Sequence, residues 1–70
     1  MIDFVVNVEE TYFSKVIVKY NSGKTKVYDA QELTESWFNM SNEGFYNTYG
    51  FNYIPSSKMQ LWYRKKYFGR

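Results

Sequence analysis

The chain has no cysteine and no histidine, one proline and four glycines in 70 residues. Without cysteine there is no disulfide and no thiolate nucleophile, and without histidine the commonest general base and zinc ligand is missing. No apolar run approaches the 18 or so residues that cross a bilayer, and the opening Met1-Ile2-Asp3-Phe4 lacks the basic and apolar regions of a secretion leader. There is also no glycine-rich phosphate loop and no nucleophile elbow. These absences argue against catalysis, bound metals, cofactors and membranes. They predict a soluble, non-enzymatic protein of a reducing cytoplasm.

What the chain has in excess is rings: eight Tyr, six Phe and two Trp. A domain of this size buries only about 60% of the surface its unfolded chain exposes, and each ring can cover about 150–250 Å². Rings must therefore build the core. Sixteen of them exceed what so small an interior can hold, and the remainder are expected on the surface.

Charge is divided along the chain. Residues 1–50 hold seven acids against Lys15, Lys19, Lys24 and Lys26, a net −3, whereas residues 51–70 hold Lys58, Arg64, Lys65, Lys66 and Arg70 with no acid, a net +5. Such polarity steers an anionic partner toward the C-terminal part.

Hydropathy patterning predicts an α+β fold in a single domain, residues 1–70, with no repeat or linker to divide it. Ile2, Phe4, Val6 and Val8 alternate with polar neighbours, the period of a half-buried strand over about 2–8, which Glu9-Glu10 ends. Alternation resumes over 12–20. Asn21-Ser22-Gly23 then reads as a three-residue hairpin loop whose glycine takes positive φ, followed by a returning strand over 24–28. The result is a three-stranded antiparallel meander.

At Asp29 the period changes. Asp29 and Glu32 have capping-box spacing, Tyr28 and Leu33 stand in staple register, and Ala30, Leu33, Trp37 and Met40 recur at helical spacing over 30–40. Ser41 starts a second helix over 42–49, which Gly50 ends in left-handed backbone with Phe51 folding back on Tyr46 or Phe45. Residues 51–55 form an extended link before Pro55. Residues 58–67 fit two periods. A helix capped by Ser57 and Gln60 and stopped by Gly69 has cap chemistry at both ends, and a fourth strand is the competing reading.

Glu32 and Glu35, one turn apart on the first helix, could in principle split acid and base roles, and the capping role of Glu32 and the solvated position of Glu35 argue against catalysis. Two surfaces remain. Arg64, Lys65, Lys66 and Arg70 beside Trp62, Tyr63, Tyr67 and Phe68 combine cations with stacking faces, as single-stranded nucleic-acid binders do, although the same residues also describe a helix that buries its rings. Rings left over among Tyr46, Tyr49, Phe51, Tyr53, Trp62 and Phe68, with cations nearby, have the composition of a protein-binding hot spot.

The stretch from Met40 to Pro55, in a compact chain rich in Tyr and Asn, resembles small proteins encoded by phages and mobile elements of low-GC Gram-positive bacteria. That resemblance implies an accessory factor that binds and blocks a host protein, such as a defence nuclease. The contact residues expected on this reading are Tyr46, Tyr49, Phe51, Tyr53, Trp62, Arg64, Lys65, Lys66 and Phe68. Nucleic-acid binding by the basic tail is the alternative. Self-association through a free strand edge is a third reading.

Overall fold

The computed structural model describes residues 2–69; Arg70, counted above among the phosphate-contacting cations, lies outside them. The order is β1 (Val5–Glu10), β2 (Lys15–Tyr20), β3 (Thr25–Asp29), α1 (Ala30–Asn39), α2 (Asn42–Tyr49) and α3 (Ser57–Tyr67). The strands form one antiparallel sheet in the order β1-β2-β3. The last segment is a helix, not a fourth strand.

Each turn follows from its residues. Gly23 takes φ 92° and closes the second hairpin, its N–H donating to Tyr20 O at 3.0 Å while Tyr20 N–H donates to Lys24 O at 2.9 Å. Asp29 caps α1 by accepting from Gln31 N–H at 2.8 Å, and Ser41 caps α2 by accepting from Gly44 N–H at 3.0 Å. Gly50 ends α2 at φ 84°, its N–H bonded to Tyr46 O at 2.7 Å. The third cap differs from expectation by one residue. Ser56 rather than Ser57 accepts from Met59 N–H, and Gln60 reaches back to Pro55 O at 2.9 Å.

The first two strands are also displaced. A bulge between Val5 and Asn7 breaks the simple alternation of β1. It brings Val5 and Val8 toward the helices, where they pack on the core, and leaves Ile2, Phe4 and Val6 exposed. Glu9 and Glu10 do not end the strand; they pair with Ile17 and Val16. Strand β2 begins at Lys15, because Tyr12 and Phe13 are spent on the turn.

The core lies between the sheet and the helices. Val16 and Val18 of β2 meet Ala30 and Leu33 of α1, Phe45 of α2, Met59 of α3 and, from the connecting segment, Phe51 and Tyr53. Thr34 is fully buried and satisfies its hydroxyl on Ala30 O at 2.6 Å. The apolar stripe of α1 is narrower than its period suggested: Trp37 is half-buried and Met40 is 39% exposed, since Met40 already has extended backbone at the helix end.

The molecule is elongated, 49 × 26 × 14 Å, with a radius of gyration of 12.9 Å, against about 11 Å for a compact chain of this length. Its 5186 Å² of accessible surface exceeds the roughly 4700 Å² expected for its mass. A thin body has less interior for the same chain, and this governs where the rings go.

Candidate interaction surfaces

Of the sixteen rings, four are buried, six are half-buried and six are exposed. The inward ones form two groups. Phe45 is the hub of the first, with ring centroids 4.6 Å from Tyr49, 6.0 Å from Phe51 and 6.3 Å from Tyr53, and Tyr28 joins it through Tyr49 and Phe51. The second group joins α1 to α3, where Phe38 stacks flat on Tyr63 at 4.1 Å and Tyr67 packs on Tyr63 at 4.5 Å.

These groups claim several residues expected at the surface. Phe51 and Tyr53 are 2% and 7% exposed. The left-handed turn at Gly50 sends Phe51 back onto Phe45, and alternation along the extended link turns Tyr53 inward with it. Tyr49 is half-buried in the same group, its hydroxyl paired with Ser36 Oγ at 2.8 Å. Trp62 is half-buried against the core. Of the nine expected contact residues, Tyr46, Arg64, Lys65, Lys66 and Phe68 are exposed.

The five are not equivalent. Lys66 lies 3.6 Å from the Glu35 carboxylate and sits over the rings of Trp62 and Tyr67 at 5.2 and 5.3 Å. Glu35 also accepts the hydroxyl of Tyr67, and that bond holds the Tyr67 phenol above its ordinary pKa. Lys66 thus helps hold α3 on α1. Arg64 and Lys65 form no ion pair among the described residues. Tyr46 is on α2, not on the helix that carries the other four.

The most exposed rings are two that the sequence reading assigned to a strand. Tyr12 and Phe13, 87% and 81% exposed, stand edge to face at 5.6 Å on the β1–β2 turn. That turn is held firmly. Thr11 N–H donates to Lys15 O at 2.6 Å and Ser14 N–H to Thr11 O at 3.2 Å, and Ser14 O accepts from Ala30 N–H at 2.9 Å, which ties the tip to the start of α1. Ser14 itself adopts φ 61°, a left-handed conformation uncommon for a residue with a side chain.

Lys58 Nζ lies 5.8 Å from the Tyr12 ring, which places the tip beside the first turn of α3. From there Lys58, Leu61, Lys65 and Phe68 follow at helical spacing, all exposed. Ile54, 77% exposed, belongs to the same end, in the link that Glu10 anchors. The hairpin tip and the outer side of α3 therefore form a ridge in which apolar groups alternate with lysines.

Glu10 is on the inner face of β1, opposite Val16, where its carboxylate accepts from Tyr53 Oη at 2.7 Å and Ser56 Oγ at 2.8 Å. Burial first, and then this bond to Glu10, push the Tyr53 phenol well above the ordinary tyrosine value. The two hydrogen bonds fasten the link and the entry to α3 onto the sheet. A sequence scan for paired acids passes over Glu10, since its partners are 43 and 46 residues away.

No family model matches the chain, and no curated protein or solved structure matches it either. Among the described residues no helix is long and apolar enough to cross a membrane.

Proposed function

We propose that the protein is a non-enzymatic binding module that docks on another protein through the ridge and covers a surface of it. Support comes above all from the adjacent Tyr12 and Phe13 rings, more than four-fifths exposed on a turn that hydrogen bonds hold in place. Holding two large rings in water forgoes the burial that a small domain needs, whereas a partner pocket would recover it. Aromatic side chains fixed before binding are efficient anchors because little freedom remains to be lost. Lys58 and Lys65 flank the apolar groups and suit a partner whose pocket has an acidic rim. Occlusion of a host protein, the role implied by the resemblance to phage accessory factors, needs no more chemistry than this.

The test is capture from a lysate of a low-GC Gram-positive bacterium, followed by titration of the identified partner. The double variant Tyr12→Ser/Phe13→Ser should fold normally, since both side chains lie in water, and should bind at least about ten-fold more weakly, about 1.4 kcal/mol. Undiminished binding by the variant would move the site elsewhere, and failure of the native protein to retain any partner would remove the reading.

Arg64 and Lys65, which form no ion pair among the described residues, and the exposed Phe68 within one turn of them favour a second reading as a single-stranded nucleic-acid binder. Here Arg64→Gln/Lys65→Gln should lower the slope of log affinity against log salt by about 1.4 on a single-stranded oligonucleotide. No binding at low salt would dismiss it.

A further inference from the structure

The outer edge of β1 holds main-chain groups without partners among the described residues. At one end of the strand Phe4 O accepts from Asn21 N–H and Phe4 N–H donates to Asn21 Oδ1, each at 2.9 Å; at the other, Thr11 N–H donates to Lys15 O. Both ends are thus bonded toward β2. Alternation between them, adjusted by the bulge between Val5 and Asn7, leaves the N–H and C=O of Val5, Val8 and Glu10 pointing away from β2. Tyr20, opposite Val5, agrees with this, because it spends its own N–H and C=O on Lys24 and Gly23. Among the described residues no hydrogen bond joins these main-chain groups to the 50–56 segment that flanks this edge; only the Glu10 side chain reaches it.

Between that segment and the edge runs a groove. One hollow of about 560 Å³ is lined by the unbroken run 2–8 on one side and by Tyr46 and residues 50–52 on the other. A second, of about 320 Å³, continues past Val8 and Glu10 against residues 52–54 and Ser56. A strand that shows a face to a hollow lines it with alternate residues, and one that shows its edge lines it with all of them. The first hollow has the second pattern.

We propose that this groove takes an extended peptide segment of another protein, which adds to β1 as a fourth strand and sets a lysine or arginine against Asp3. The unpaired edge groups supply the main-chain recognition that strand addition uses. Charge selects the occupant: Asp3 and Glu10 are the charged residues lining the two hollows, with no lysine or arginine among the lining residues; both oxygens of Glu10 are engaged, by Tyr53 and Ser56, whereas Asp3 accepts from Ser22 Oγ at 3.2 Å through Oδ2 alone. The groove and the ridge share only Ile54, and the tests act on Asp3 and the β1 amides here and on Tyr12 and Phe13 there, so this site stands or falls apart from the proposed function.

The probe is an end-blocked peptide of about eight residues alternating valine and lysine, long enough to run beside residues 2–10 at about 3.3 Å per residue. Controls are its valine–glutamate counterpart and a form with alternate amides N-methylated. Amide hydrogen exchange, followed by NMR, should slow at Val5, Val8 and Glu10 with the lysine peptide. Affinity for that peptide should exceed that for the glutamate peptide at least about ten-fold, and N-methylation should abolish both effects. Asp3→Lys, at an exposed residue, should erase the charge preference while the fold persists. Three results would overturn the proposal: unchanged exchange at those amides with millimolar lysine peptide, equal binding of the N-methylated form, or concentration-dependent protection without peptide, which would assign the edge to a second copy.

Discussion

Phe45→Ala should cost about 3–5 kcal/mol, the range for removing a fully buried ring that its surroundings cannot refill. Stabilities of about 0.05–0.15 kcal/mol per residue give a chain of this length roughly 3.5–10 kcal/mol in all, so the variant should be largely unfolded or close to it. The size of the effect follows from position. Phe45 is 2% exposed and its ring meets Tyr49, Phe51 and Tyr53, so it fixes the end of α2 and the link that follows it. Its loss would leave a void that the left-handed turn at Gly50 and the sheet behind it hold open. Urea unfolding followed by circular dichroism measures this as a lower midpoint. Tyr46→Ala is the control one residue away, where a ring half in water should cost far less. A loss under 1 kcal/mol for Phe45→Ala would mean that these rings do not organise the core.

Much of the fold is legible because its signals are local. Asp29, Ser41, Gly23 and Gly50 each fix a boundary through a bond or a φ value that the residue type favours, and each acts where its spacing indicates. The two errors along the strands arise from signals that reach further. Alternation along β1 cannot show a bulge, because Ile2, Phe4, Val6 and Val8 form an unbroken apolar series; the bulge is set by pairing with β2, which moves Val5 inward. Similarly, Tyr12 and Phe13 have the β-propensity of strand residues, yet the turn falls on them because Lys15 must face Asp29 for β2 and β3 to pair.

The candidate surface was less legible for a related reason. Composition shows that rings outnumber interior places, and six exposed rings agree with that, but composition cannot say which ones are left out. Phe51 and Tyr53 are drawn inward by Gly50 and by the Phe45 ring. Phe4, Tyr12 and Phe13 are left outside by a bulge and a turn. The basic tail was visible as a cluster, but Glu35, some thirty residues earlier, removes Lys66 from it by closing onto it across the α1–α3 contact.

Glu10→Ala should cost about 3 kcal/mol, the second largest effect expected of a single change. Hydrogen bonds to a charged group contribute about 1.5–3 kcal/mol each, and a buried hydroxyl left without an acceptor costs about 1–3 kcal/mol. Alanine here removes two such bonds and strands the Tyr53 hydroxyl, with partial exposure of Glu10 and Ser56 lowering the sum. Glu10→Gln, which keeps one acceptor, should lose less. A double-mutant cycle with Tyr53→Phe would assign the part carried by that pair. A loss under 1 kcal/mol for Glu10→Ala would mean that the link is held by ring packing alone. The same pair predicts alkaline behaviour. The folded state raises the Tyr53 pKa above its ordinary value of 10.0, so it holds the phenolic proton more tightly than the unfolded chain does. This contribution is fully present below pH 10 and is lost as pH rises through the folded pKa, because the unfolded chain releases the proton first. Stability should therefore fall above pH 10 in the native protein and fall less steeply in Tyr53→Phe, measured by urea midpoints across that window. Equal slopes for the two proteins would show that the Tyr53 proton is no more tightly held in the folded chain than in the unfolded one.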